Sequence, residues 1–261
     1  MAKVETERRE RTFIVRINRP EARNAVDAET AGLLEEAVTV FNKDKGLRVM
    51  VLTSAGDVAF CAGADLKSAR ELVLRKGADK SGPMGFSRFT NVQKPSIAAV
   101  NGYCLAGGLE LACWCDFRIS ARSAKFGVVN RRWGVPLIDG GTQRLPRIVG
   151  LGNALYLIET GAMIDSGQAL RMGLVQEVVH DGQALERALA LAAIMADYPW
   201  TSLVNDRRAA YEGLALGLAE GIRREKDLHA ADLKDREMQK GLERFITGQR
   251  PQPPQPPQPP A

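Results

Sequence analysis

Histidine is almost missing from this 261-residue chain, which has only His180 and His229. Neither lies in a nucleophile motif, which argues against a Ser-His-Asp or Cys-His hydrolase. Cysteine is nearly as scarce: Cys61, Cys104, Cys113 and Cys115. Cys113-x-Cys115 has no second pair at a metal-binding spacing, so no metal is implied and the four read as reduced thiols filling small apolar sites. No apolar run is long enough to span a bilayer, and the charged stretch Met1 to Arg11 lacks a signal-peptide core. The expectation is a soluble, cytoplasmic protein with no membrane partner. Aromatics make up only 6% of the chain, and no aromatic-interleaved basic motif supports nucleic-acid binding. A Gly-Lys-Ser/Thr phosphate loop is absent, and Gly150-Leu151-Gly152-Asn153-Ala154-Leu155 lacks the third glycine of a dinucleotide fingerprint.

What the chain does have is small residues in the right places. Phe60-Cys61-Ala62-Gly63-Ala64-Asp65-Leu66 and Asn101-Gly102-Tyr103-Cys104-Leu105-Ala106-Gly107-Gly108-Leu109-Glu110 each put them where a strand should give way to a helix. Small residues leave backbone N–H groups uncovered, and a helix N-terminus adds free N–H groups and a positive dipole end. Two such turns aimed at one point would hold a developing oxyanion, with Glu110 one turn into the second helix to move a proton. Two ordinary tight turns and a solvated glutamate are the bland alternative. Apolar Leu109, Leu111 and Ala112 around Glu110 weigh against it.

Elsewhere the pattern is that of an α/β protein. Thr12 to Ile17, Val49 to Leu52, Ile97 to Val100 and Arg118 to Ser120 read as strands. Asp27 caps a predicted helix through Phe41, with Leu33, Leu34, Ala37, Val38 and Phe41 on one face. Strands alternating with helices imply βαβ units in layers. Lys76 to Gly85, rich in glycine, is expected to be mobile. Helical pattern then dominates over Gly182–Ala196, Ser202–Gly217 and roughly Leu218–Gln239. The expected domains are a core over 1–197, a helical C-terminal domain over 198–248, and a proline-rich disordered tail over 249–261. The formal charge of +5 suits a polyanionic ligand, though solubility explains it as well.

The two small-residue stretches, together with Gly140-Gly141-Thr142-Gln143-Arg144-Leu145-Pro146, resemble the enoyl-CoA hydratase/isomerase (crotonase) family. Arg19-Pro20-Glu21-Ala22-Arg23-Asn24-Ala25 and Lys94-Pro95-Ser96-Ile97-Ala98-Ala99-Val100 resemble it too, in the family's order and spacing. The resemblance runs from about Arg11 to about Phe245. It implies a crotonase-like spiral of β-β-α turns with a C-terminal helical domain, assembled as a homotrimer or hexamer. By the same resemblance, the Ala64 and Gly107 amides form an oxyanion hole and Glu110 is the acid/base residue. Arg23, Ala25, Ala62, Asp65 and Leu66 would contact coenzyme A, which enters as part of the acyl-CoA substrate rather than as a cofactor.

The implied reaction is hydration or dehydration of a 2-enoyl-CoA, placing the chain in fatty acid metabolism. Double-bond isomerisation, decarboxylation, thioester hydrolysis or acyl-CoA binding with weak catalysis are the alternatives. They stay open because Asn130 stands where typical hydratases carry a second glutamate. An amide can hold a water but cannot transfer its proton. Asp139 is the nearest replacement carboxylate, or else it caps the helix that follows. Arg131-Arg132-Trp133 is either a contact for acidic groups or a neighbouring subunit, or an ordinary surface cluster.

Overall fold

The computed structural model describes residues 2–230 and 236–249; the proline-rich segment 250–261 lies outside them. β1 (Val4–Arg9) and β2 (Thr12–Ile17) pair antiparallel and lead into α1 (Ala28–Lys43). Asp27 caps α1, its side chain accepting from the Thr30 N–H at 2.8 Å. Leu34, Ala37, Val38 and Phe41 form the buried stripe of that helix.

A strand–strand–helix unit then recurs. Its first turn is β3 (Val49–Ser54) and β4 (Ala59–Cys61), followed by the short helices α2 (Ala69–Val73) and α3 (Ala78–Ser81). The second is β5 (Ser96–Val100), β6 (Tyr103–Leu105) and α4 (Gly107–Trp114). The third is β7 (Phe117–Ala121), β8 (Lys125–Gly127), a 3-10 turn over Val129–Trp133 and α5 (Gly141–Val149). After these come α6 (Leu151–Thr160), β9 (Met163–Asp165), α7 (Ser166–Arg171), β10 (Glu177–Val179) and α8 (Ala184–Asp197). The chain continues with α9 (Trp200–Gly213), α10 (Leu218–His229) and α11 (Arg236–Ile246).

In each repeat the first strand enters a large sheet, ordered β1-β2-β3-β5-β7-β10, and the second a small one, ordered β4-β6-β8-β9. From β2 onward the large sheet is parallel. Its central strands are buried on both faces, which is why they read as continuous apolar runs. Met50, Leu52, Ala98 and Val100 face the main core. Their alternates Val49, Val51, Ile97 and Ala99 meet α8, whose Ala184, Ala188, Ala192 and Ala196 repeat every four residues and admit close packing.

The small sheet positions the site. Its parallel strands β4, β6 and β8 lie side by side, so the turns leaving their carboxyl ends emerge together. A hydrogen bond from the Ala106 N–H to the Gly127 carbonyl, 2.9 Å long, ties the second turn to the third.

Two expectations need correction. Lys76–Gly85 is not an open loop: α3 runs through it, Ser81 to Ser87 are buried, and Ser81 and Arg75 share the Glu35 carboxylate. The helix expected from Leu218 to Gln239 ends at His229, and α11 starts at Arg236 with residues 231–235 outside the described set. Among the described residues no helix is long and apolar enough to cross a membrane.

Candidate active site

The first turn is fixed by a short parallel pairing with the segment before α1. The Ala62 N–H donates to the Arg23 carbonyl, Val26 N–H to Gly63 O, and Asp65 N–H to Val26 O, at 2.8–3.1 Å. Because Val26 uses Gly63 O and Asp65 N–H, alternation along the strand turns the Ala64 N–H to the opposite side. The two turns lie against each other, since a β-carbon placed on Gly63 would lie 3.2 Å from the Gly107 nitrogen. Gly63 has φ 105°, a conformation that favours glycine.

The second turn carries strain. Ala106 adopts φ 51° and ψ −123° at the N-cap of α4, outside the usual range for a residue with a β-carbon. This bend releases Gly107 as the first helical residue, whose N–H has no helical acceptor. Met84 packs against it: a β-carbon on Gly107 would come 2.9 Å from the Met84 sulfur. Gly108 abuts the backbone of Cys61, which leaves no room for a side chain there.

Glu110 lies in the first turn of α4, only 4% exposed. Its Oε1 accepts the backbone N–H of Asp139 at 3.0 Å and of Gly141 at 2.8 Å. Oε2 has no protein donor among the described residues. The carboxyl borders a cavity of ≈ 10 Å³ lined by Leu109, Val128, Leu137 and Leu145. Donated N–H bonds and a helix N-terminus both favour the charged form, but burial outweighs them. Desolvation, helped by the Asp139 charge, pushes Glu110 up to about 7. A carboxyl poised there can give and take a proton near neutrality.

Asp139 is 3% exposed and does not cap α5; Gly140 occupies that position. The Asp139 carboxylate turns back to the segment before β5. Its Oδ1 accepts from the Met84 N–H at 3.0 Å and from the Ser87 hydroxyl. Arg144 reinforces the same contact, donating to the Asp139 carbonyl at 3.1 Å and the Ser87 carbonyl at 2.7 Å. Asp139 therefore touches Glu110 through its backbone and Met84, which packs against Gly107, through its side chain.

Asn130, in the 3-10 turn after β8, is 6% exposed. Its Nδ2 donates to the Val135 carbonyl at 2.7 Å, which fixes the amide orientation. Oδ1 is then left as a buried acceptor without a partner among the described residues. Next to it Arg131, Arg132 and Trp133 are exposed, Trp133 to 73%.

The proposed coenzyme A contacts gather at the first turn. Arg23 sits exposed at φ 51°, Ala25 is buried beside it, and Leu66 is half exposed. Asp65 caps the turn over Leu66–Ser68 and pairs with Arg19 at 3.1 Å. The four cysteines are unpaired and buried, and burial pushes the Cys61 thiol up to about 12. Sequence reasoning missed Met84 and Ser87, which lie in or beside the stretch expected to be mobile and carry no periodic signal. It quoted Arg144 within a motif without a role.

Residues 7–254 match the family model for enoyl-CoA hydratase/isomerase. A probable enoyl-CoA hydratase from Rhizobium meliloti is 38% identical over 90% of this chain and 91% of its own. A crotonyl-CoA hydratase from Syntrophomonas wolfei is 35% identical, covering 92% and 93%. A crystal structure of an enoyl-CoA hydratase from Mycobacterium marinum superposes with a TM-score of 0.89 at 32% identity, covering 97% and 98%. With its repeated β-β-α turns and paired N–H turns beside a buried glutamate, this chain belongs to the enoyl-CoA hydratase/isomerase family and has the crotonase fold.

Proposed function

We propose that this protein hydrates 2-enoyl-CoA thioesters, and dehydrates the 3-hydroxyacyl products, with Glu110 as its acid/base group. The observation that carries this reading is the Glu110 carboxyl, buried in the first turn of α4 beside the Gly107 helix start and pushed up to about 7. The thioester oxygen sits between the Ala64 and Gly107 N–H groups, which stabilise the enolate that forms when the β-carbon is attacked. Glu110 Oε2 takes one proton from the attacking water as its hydroxyl bonds to C3. It then returns that proton to C2 as the enolate collapses, so one carboxylate completes the addition of water. The orphaned Oδ1 of Asn130 accepts a hydrogen bond from the attacking water and orients it. Arg23, Ala25, Ala62, Asp65 and Leu66 hold the coenzyme A portion.

Asp139 supports a second version, in which it carries one of the two protons, because its carboxylate lies close enough to raise Glu110. Isomerisation would use the same enolate and one proton shuttle. We further take residues 1–197 as the catalytic body and 198–248 as a helical unit of a trimer or hexamer acting in the cytoplasm. In support, α9, α10 and α11 bury no residue completely, while Leu218, Ile222, Phe245 and Ile246 are exposed. A monomer by light scattering at micromolar concentration rejects the assembly.

Incubation with crotonyl-CoA in deuterated water tests the reaction. A product heavier by one water supports hydration; solvent deuterium in an unhydrated product points to isomerisation or enolate exchange. Glu110→Gln keeps the hydrogen-bond acceptor but removes proton transfer, so turnover should fall about 10²-fold or more. Acyl-CoA affinity should stay within a few-fold, and wild-type turnover in the variant would reject Glu110.

A further inference from the structure

The two N–H groups that hold Glu110 lie at the end of a stretch with no strand or helix of its own. Residues 135–140 run irregularly from the 3-10 turn to α5, and their carbonyls are held by side chains from outside. Arg88 donates to Ile138 O at 3.1 Å, and Arg144 donates to Asp139 O at 3.1 Å. Arg144 is half-buried and reaches a second segment as well, donating to the Ser87 carbonyl at 2.7 Å. The Ser87 hydroxyl in turn donates to the Asp139 carboxylate, so Ser87 and Asp139 are joined twice, once directly and once through Arg144. The Asp139 N–H then donates to Glu110. Next in the chain, Gly140 has φ 93°, and the Arg144 guanidinium fills the space that a β-carbon there would take. Gly141 follows with the second N–H to Glu110.

A positive charge at this position is costly. Arg144 is the fourth residue of α5, close to the positive end of the helix dipole. It donates to carbonyls and forms an ion pair with no carboxylate among the described residues. Burial also pulls its ionisation down from the ordinary value. The group that its charge does act on is Glu110, and each favours the ionised form of the other. Asp139 acts on Glu110 in the opposite sense. A lysine would keep the charge, but the planar fork of a guanidinium suits two carbonyls on separate segments.

We infer that Arg144 is a positioning residue for the acid/base step. It pins residues 139–141 so that their N–H groups hold Glu110 Oε1 and leave Oε2 to move the proton, and it supplies a positive charge that counters Asp139. It acts through Asp139 and Gly141 and carries no proton itself. The inference rests on the hydratase reading.

The test measures crotonyl-CoA hydration against pH for the full chain carrying Arg144→Gln, Arg144→Lys or Arg147→Gln. Arg147, one turn further along α5, is exposed and donates to Gln143 O within its own helix, so it serves as the control. In Arg144→Gln, kcat should fall about tenfold or more with KM within about threefold of wild type. The ionisation near 7 in the pH dependence of kcat/KM should move up by about half a unit or more, because a positive charge is lost. Arg144→Lys should return that ionisation to its wild-type position while kcat stays about threefold or more below wild type. Arg147→Gln should match wild type in both. An unmoved ionisation in Arg144→Gln overturns the inference and leaves Arg144 a structural residue, whatever happens to the melting temperature. A rise in KM with kcat unchanged also overturns it. If Arg144→Gln does not fold, Arg144→Lys decides, and a wild-type kcat there overturns the inference. If the wild type hydrates no enoyl-CoA, the hydratase reading fails, and urea unfolding then tests Arg144 by itself. The pH window over which Glu110 lowers stability, measured against the same protein with Glu110→Gln, should close about half a unit higher in Arg144→Gln. An identical window rejects the inference.

Discussion

Glu110 should cost the fold stability above neutrality, and its removal should return it. In the unfolded chain the carboxyl ionises near its ordinary 4.5; in the fold it is held up to about 7. Below pH 4.5 the group is protonated in both states and contributes no penalty. As pH rises from 4.5 towards 7, the unfolded chain loses this proton while the fold retains it, so stability falls with pH across that window and levels off above it. At about 1.36 kcal/mol per pH unit, the full penalty is about 3 kcal/mol, reached near pH 8. No large discount for solvent applies, because the carboxyl is 4% exposed. Glu110→Gln keeps an oxygen for the Asp139 and Gly141 N–H groups and does not titrate. Urea unfolding of wild type and variant, at equal protomer concentration, should show the variant's advantage growing by about 2–3 kcal/mol between pH 5 and pH 8. Parallel stability curves over that range would refute the reasoning, since Glu110 would then ionise alike in both states.

Asp139→Asn removes a negative charge that raises Glu110, so the ionisation near 7 in the pH dependence of kcat/KM should move to lower pH while turnover persists; loss of activity at every pH would instead make Asp139 a proton carrier. Asn130→Glu loses the donor that holds the Val135 carbonyl at 2.7 Å and should destabilise the protein by about 1–3 kcal/mol in chemical denaturation. The same variant should not raise crotonyl-CoA hydration, because Glu110 both takes the proton from water and returns it to C2; a large gain in stopped-flow or steady-state rates would show that a second carboxylate had been missing.

Local signals explain why the strands and α1 were legible. Val49 to Leu52 and Ile97 to Val100 are apolar on both faces because the sheet is covered twice, and Asp27 announces α1 by satisfying an N–H that the helix cannot. The short strands β4, β6, β8 and β9 have three residues each, too few for a period to register. The stretch from Lys76 to Gly85 misled for a related reason. Glycine and proline mark a chain that turns, and a turning chain is often exposed. Here Gly82 is required because a β-carbon would run into Ser87 and the Asp139 carboxylate, and Gly85 because one would meet the backbone of Ala31. Its glycines permit close packing, and the contacts that demand it come from residues up to 57 positions away.

The chemistry was legible only as far as residue type carries it. Glu110 could be singled out because a glutamate beside Ala106-Gly107-Gly108 and among apolar neighbours is a rare combination, and burial then explains the raised ionisation. Asp139 could not be settled in the same way. An acidic residue directly before Gly-Gly at a helix start fits a cap or a working carboxylate equally well, and the choice depends on where the side chain points. The fold sends it to Met84 and Ser87, so its charge acts on Glu110 while its oxygen anchors the residue covering Gly107. Asn130 shows the converse: in sequence it stands where the resembled family has a glutamate, but in the fold its Nδ2 is committed to Val135 and its Oδ1 is buried without a partner among the described residues. A glutamate at this position would have no donor for Val135, so the substitution and the turn that follows it form one unit. On the mechanism proposed above, Asn130 orients the water and the whole burden of proton transfer falls on Glu110.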